Sequence, residues 1–296
     1  MAGHIMTAEL LQFLVSGLTV GAVYALVALG FTLIYNASDV VNFAQGEFVM
    51  LGGMVTVFVH AAGLALPLAA AAAIIVAVAA GLLLHRLAIE PARGASAVTL
   101  IIITIGASIF LRGVAQIVFD KRFHQLPAFS GNDPILLGGA AILPQSFWVL
   151  GGAVLVFTAL FLFLERTLLG KAVLATAANR LAARLVGVDT SFVLALSFGL
   201  SAAIGALGGI LITPITLTSF DVGTLLALKG FAAAMLGGMG SPLGAVAGGL
   251  LLGLLESFAA GTISSAYKDA VAFIVILGVL FAMPQGLFGR RSVERV

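Results

Sequence analysis

An all-α bundle of membrane-crossing helices is the fold class this sequence predicts, and three observations predict it. Charged residues make up 9% of the 296 positions, where soluble domains carry about 25%. Mean hydropathy is +1.22, which leaves more apolar surface than a soluble domain of this size can bury, so lipid must be part of the solvent. Charge is also absent from seven intervals, 10–38, 48–85, 94–111, 134–164, 190–220, 230–255 and 270–289, most of them reaching the ~20 residues a crossing helix needs. The 36 glycines suit close-packed membrane helices better than an outer-membrane barrel of short alternating segments.

Taken in order, the first span covers about 10–34. No Lys or Arg precedes Arg86, so this span lacks a signal peptide's basic flank, and at about 25 residues it is too long for one. Met1–Ile5 reads equally as a cloning scar before Met6 or as the native start. The interval 48–85 holds two spans, 46–60 and 67–84, separated near Gly63 and Pro67. Spans at 97–119, 147–164, 191–212, 242–260 and 270–288 follow, and a further apolar piece, 223–238, is short for a crossing. This gives about eight transmembrane helices in a single domain, 1–296. Glycines three residues apart (Gly17/Gly21, Gly205/Gly209, Gly240/Gly244, Gly244/Gly248, Gly249/Gly253) mark candidate close crossings.

Orientation follows the basic residues. Arg86, Arg93, Arg166, Lys171, Arg180, Arg184, Arg290, Arg291 and Arg295 are assigned to one side, and Lys121, Arg122, Lys229 and Lys268 to the other. The expectation is an N-terminus outside and a C-terminus in the cytoplasm.

Two stretches depart from simple helices. Asn36–Glu47 and Thr213–Asp221 are polar breaks, each preceding an apolar segment that contains Met-Leu-Gly-Gly-Met, at 50–54 and 235–239. Either this is an inverted repeat of broken segments lining a translocation path, or the motif recurs by chance in a glycine-rich chain. Asp39, Asn42, Gln45 and Glu47 form the densest polar cluster near the membrane in the first half. Asn42 and Gln45, three apart, would share a helical turn. Ionisable groups at membrane depth usually face a bundle interior or water, so the cluster is either a substrate pathway or a solvated loop. Arg112 interrupts an apolar run and either pairs with a carboxylate or, the favoured reading, snorkels to the interface. Glu256, deep in its span, needs a partner that the sequence does not name, and an interhelical structural role is favoured. Trp148 fits an interface belt.

The 25-residue loop 165–189 repeats small apolar residues (Leu174, Ala177, Ala178, Leu181, Ala182, Leu185) at spacings of three and four and carries Lys171, Arg180 and Arg184. It is expected to form an amphipathic helix ended by Gly187, its basic face lying on anionic lipid or docking on a partner.

Enzymatic signatures are missing. The chain has no cysteine, and His4, His60, His85 and His124 lie too far apart for a metal motif. Gly170-Lys171 is followed by alanine, with Glu165 where a Walker A glycine would stand. No G-x-S-x-G elbow occurs. No cofactor and no nucleic-acid partner is expected, and any ATP must be bound by another chain.

Gly17-Leu-Thr-Val-Gly-Ala-Val-Tyr-Ala-Leu-Val-Ala-Leu-Gly-Phe-Thr-Leu-Ile-Tyr, continued through Val41-Asn-Phe-Ala-Gln-Gly-Glu-Phe-Val-Met-Leu-Gly-Gly, closely resembles the LivH-type permeases of branched-chain amino acid ABC importers. Lys229-Gly-Phe-Ala-Ala-Ala-Met-Leu-Gly-Gly-Met-Gly-Ser-Pro-Leu-Gly-Ala resembles the same family, and so does the loop around Gly170, Lys171, Asn179, Ala182-Ala183 and Gly187. The resemblance spans essentially the whole chain. It implies an inner-membrane permease subunit paired with a LivM-type permease, two cytoplasmic ATPases and a periplasmic binding protein. The loop 165–189 would then couple to an ATPase, with Gly170, Lys171, Asn179, Arg180, Arg184 and Gly187 as its expected coupling residues. Relatives of this type also move urea, amides and aromatic acids. The rival reading is a self-sufficient secondary transporter or channel using Asp39, Glu47 and Arg112 as ion or proton groups.

Overall fold

The structure, a computed structural model, describes residues 2–289. Arg290, Arg291 and Arg295 of the expected cytoplasmic face lie outside the described residues. The chain begins with α1 (Ala2–Ser38), α2 (Gln45–Ala61) and α3 (Leu66–Leu84), which runs into a π-helical turn, His85–Ile89. Helix α4 (Ala97–Phe119) follows, then a hairpin of β1 (Ile135–Leu137) and β2 (Ala140–Ile142), then α5 (Pro144–Arg166). Two short helices, α6 (Leu168–Ala178) and α7 (Arg180–Leu185), precede α8 (Thr190–Thr216), α9 (Val222–Gly237), α10 (Pro242–Thr262) and α11 (Lys268–Ala282).

Local chemistry sets these boundaries. Ser96, Thr167, Asp189 and Ser241 cap α4, α6, α8 and α10 by accepting first-turn amides. Proline occupies the first turns of α3, α5 and α10, where its missing N–H costs nothing.

Helix α1 is central, and small residues let its neighbours close on it. Gly17 and Gly21 meet Leu254 and Leu250 of α10, while Gly249 and Gly253 face Ala25 and Gly21. Two of the spaced glycine pairs therefore form one antiparallel crossing. Gly205 and Gly209 of α8 face Phe48 and Val49 of α2, so those two helices run in the same direction. Helix α9 lies antiparallel to α10, with Gly248 on Ala233 and Gly244 on Gly237.

The described residues do not confirm the expected count of about eight, give or take one or two. Six helices are long and apolar enough to cross a membrane, and α2, α9 and α11 (17, 16 and 15 residues) are shorter. The segment 223–238, set aside as too short, runs as α9 between α8 and α10 and adds a traverse. Eight crossings would return the chain to the side it started from, but the described ends lie at opposite ends of the bundle. Gln12 of α1 bonds Ala141 of the hairpin at one end. At the other, Asn36 bonds the Gly240 carbonyl at 3.0 Å, and Leu287 donates to the Leu236 carbonyl at 2.9 Å. Among the described residues Arg86, Arg93, Arg166, Lys171, Arg180 and Arg184 fall at this second end.

Candidate functional site

The two polar breaks are structural counterparts. Helix α1 ends at Ser38 and Asp39 takes a left-handed φ of 58°. Helix α8 ends at Thr216 and Leu217 takes 64°. After each break the chain turns back and starts a new helix, α2 or α9. The parent helices α1 and α8 are antiparallel, with Ser201 bonded to the Gly30 carbonyl and Gly208 beside Leu26. Gly46 and Gly223, each the second residue of its helix, touch, so the first turns of α2 and α9 meet. The Met-Leu-Gly-Gly-Met repeat does not mark this relation. Residues 50–54 lie inside α2, whereas 235–239 run over the C-terminal end of α9, where Gly238 takes φ 104°.

Of the expected pathway residues, Asp39 is exposed and Asn42, Gln45 and Glu47 are buried. Asn42 precedes α2 and does not share a helical turn with Gln45. Its Oδ1 accepts the Ala44 amide at 3.1 Å, which shapes the turn into the helix. Gln45 opens α2 and bonds both the hydroxyl and the carbonyl of Ser201 in α8. Glu47 is 1% exposed. Its Oε1 accepts the Ser108 hydroxyl at 2.7 Å and lies 3.4 Å from Arg112 Nε. Its Oε2 has no partner among the described residues and lies beside Gly223. Ser108 sits midway along α4, which places this carboxylate deep in the bundle. Arg112 does not snorkel as expected; it reaches across to another helix, because Glu47 lies within range.

Glu256 has partners that sequence reasoning did not find. Lys229 of α9, assigned above to a solvent-facing side, is 3% exposed. Its ammonium donates to Glu256 at 2.9 Å, to Asp269 at 2.8 Å and to the Tyr24 hydroxyl at 3.1 Å, and Tyr24 donates to Glu256 at 2.7 Å. All three ammonium donors are used, so the group ties α1, α9, α10 and α11 together. The available signal was Lys229 breaking an apolar run, as Glu256 does.

The loop 165–189 is two helices, not one. Asn179 takes an extended conformation, and its side chain accepts the Ala182 amide at 2.9 Å. Asparagine is a favoured N-cap, and that signal was present in the sequence. The polarity of the loop is also reversed from the expectation. Leu181, Leu185 and Val186 are 69%, 80% and 79% exposed, while Arg180 turns inward and Arg184 Nε donates to Thr190 at 2.8 Å. Arg180, Arg184, Arg93 and Asp39 line a cavity of about 590 Å³ between α7, the first break and the start of α4. Burial first, then the like charges of Arg184 and Arg93, push the Arg180 guanidinium below its ordinary range. Gly170 is buried at the α5–α6 corner, where a Cβ would run into the Phe163 carbonyl, and Lys171 is exposed. Gly187 follows α7 with φ 92°. Among the described residues no cluster of metal-ligating side chains occurs.

The sequence profile described as branched-chain amino acid transport system / permease component matches residues 13–280. Over 97% of its length, and 98% of the relative's, the chain is 36% identical to the high-affinity branched-chain amino acid transport system permease protein BraD of Pseudomonas aeruginosa. It is 34% identical to the permease protein LivH of Escherichia coli, covering 97% of each. A more distant relative is the ribose import permease protein RbsC of Escherichia coli, at 26% identity over 86% of this chain and 80% of that one.

Proposed function

Because the chain belongs to the family of branched-chain amino acid transport permeases, we propose that it is the membrane-spanning subunit of an importer for leucine, isoleucine and valine. In this reading it pairs with a LivM-type permease, two cytoplasmic ATPases and a periplasmic binding protein. The N-terminal end of α1 faces outside, and the end bearing α6 and α7 faces the cytoplasm.

One observation carries the reading: Leu181, Leu185 and Val186 are exposed on a short helix at the basic end of the bundle, outside any span. Apolar side chains that the bundle leaves uncovered on such a helix fit insertion into a groove of a partner protein. The expected contact is therefore revised from the arginines to these apolar residues. Gly170, Asn179 and Gly187 shape the loop, and Lys171 stays at its surface.

Mechanically, α7 stands against the first break through the cavity that holds Asp39, and that break leads directly into Gln45, Gly46 and Glu47. Closure of the ATPases on α6 and α7 pushes on the break and shifts the first turn of α2 against that of α9. The buried Asn42, Gln45 and Glu47 belong to a closed path, which the shift opens. The bundle itself performs no covalent chemistry; ATP hydrolysis on the partners supplies the work.

The test is reconstitution of this chain with its partner permease, ATPases and binding protein in proteoliposomes, with a panel of leucine, isoleucine, valine, ribose and urea. ATP-dependent accumulation of the branched-chain amino acids is expected. Accumulation by this chain alone on an ion gradient would place it with secondary transporters and overturn the reading.

A further inference from the structure

Arg93, Arg180 and Arg184 converge on one cavity, where Arg180 is partly buried and Arg93 and Arg184 keep exposed surface. Three guanidiniums, from Arg93, Arg180 and Arg184, line the 590 Å³ cavity beside a single carboxylate, Asp39, which is exposed. Glu90, adjacent to the cavity, is bonded to Arg93 and to Ser191. Asp189, next in sequence to Thr190, is committed to the amides of Ser191 and Phe192 at the start of α8. Among the residues that line the cavity, three guanidiniums thus stand against one carboxylate, Glu90 and Asp189 lying outside the lining. Arg180 lacks a partner there, since its buried Nε has no acceptor among the described residues. A buried guanidinium donor without an acceptor is costly, and arginine's planar fork matches phosphate oxygens better than any other side chain does.

Apart from Ser38, the remaining side chains of the lining are apolar, chiefly Val40, Ile89, Leu100 and Leu194. A freely soluble anion has no use for such walls. The glycerol and first methylenes of a lipid would be covered by them, and basic pockets between helices at the cytoplasmic face take anionic headgroups in this way.

We propose that this cavity is a binding site for a phosphate group carrying one net negative charge, delivered by an anionic phospholipid headgroup. The phosphate bridges Arg180 and Arg184 of α7 to Arg93, beside the first break. It supplies the acceptor that Arg180 Nε lacks and joins α7 to the segment that leads into α2. A zwitterionic headgroup, whose ammonium cancels the phosphate, is a poorer fit. The proposal rests on the reading above only for which leaflet supplies the lipid.

Native mass spectrometry of the assembled transporter, released from nanodiscs of phosphatidylglycerol or phosphatidylcholine, tests the site without transport. Phosphatidylglycerol is expected to stay bound and phosphatidylcholine to be lost. Arg180→Gln combined with Arg184→Gln should reduce the retained lipid about tenfold, as loss of charge-assisted bonds implies. Arg180→Lys, which keeps the charge but loses the fork, should fall between. Assembly of each variant is read from the same spectra, so a variant that fails to fold is not scored as a loss of lipid. Thermal protection by inorganic phosphate without a retained lipid would support the phosphate site and overturn the lipid as its source. Equal retention of both lipids by the parent and the double variant, with no protection by phosphate, would overturn the site altogether. Failure of leucine uptake in every lipid, with the phosphatidylglycerol adduct intact, would count against the transport reading and leave the site standing.

Discussion

Gly46 and Gly223 stand against each other at the first turns of α2 and α9: a Cβ on Gly46 would run into the Gly223 carbonyl oxygen, and a Cβ on Gly223 into the Gly46 carbonyl. Neither residue has a positive φ, so lack of space, not backbone freedom, requires glycine here. The contact joins the two broken segments in the interior and holds Glu47 beside it.

Gly46→Ala should therefore overpack the junction and destabilise the protein by about 1–3 kcal/mol. Gly106→Ala, at a site with open space around it, should be silent. Thermal unfolding in detergent compares the two, and leucine uptake should fall only in the first.

The buried Lys229–Glu256 pair predicts strong coupling. Lys229→Met alone or Glu256→Gln alone leaves a buried polar partner unbalanced and should cost about 3–5 kcal/mol. The double variant should be milder than the sum of the singles. A double-mutant cycle on unfolding midpoints measures this, and additive losses would refute a direct pair.

Leu181→Asp and Leu185→Asp should leave the bundle folded, because both side chains are exposed, and should weaken ATPase association about tenfold or more. Co-purification of the ATPase subunits and leucine-stimulated hydrolysis report the effect. If Arg184→Glu broke association while Leu181→Asp did not, the contact would revert to the arginines.

At Gly187 the constraint is conformational, since φ is 92° and a Cβ there would meet nothing within 4 Å. Asparagine tolerates left-handed backbone better than β-branched residues do. Uptake should thus be better preserved in Gly187→Asn than in Gly187→Val, and Gly187→Pro should uncouple hydrolysis from uptake.

Glu47→Gln can still accept the Ser108 hydroxyl but removes the charge facing Arg112. Folding should persist and uptake should fall several-fold, on the scale of one charge-assisted bond. Unchanged uptake would assign Glu47 a purely structural role.

Much of the architecture was legible in the sequence. Uncharged intervals located the spans, and the glycine pairs 17/21 and 249/253 marked a real crossing, because both signals act along one helix. The partnerships were not legible, because they depend on register between helices. Lys229 and Glu256 meet only because α9 lies antiparallel to α10, and Glu47 meets Arg112 only because α2 and α4 run side by side. Gln45 and Glu47 stood out as polar residues near the membrane, but their burial against Ser201 and Ser108 could not be read from spacing. The orientation of α6 and α7 was misjudged for a related reason. Amphipathic periodicity identifies two faces without saying which one the bundle keeps, and here the cavity beside Asp39 holds the arginines.

The two breaks are alike in shape and unequal in energy. A non-glycine residue in left-handed backbone costs about 1–3 kcal/mol, and aspartate, with its short polar side chain, bears that conformation more readily than a bulky residue. Asp39, at 58°, is thus the easier joint to hold, and Leu217, at 64°, the harder. The near-symmetric pair of broken helices is thus unequally loaded: the joint between α8 and α9 stores more backbone strain than the joint between α1 and α2.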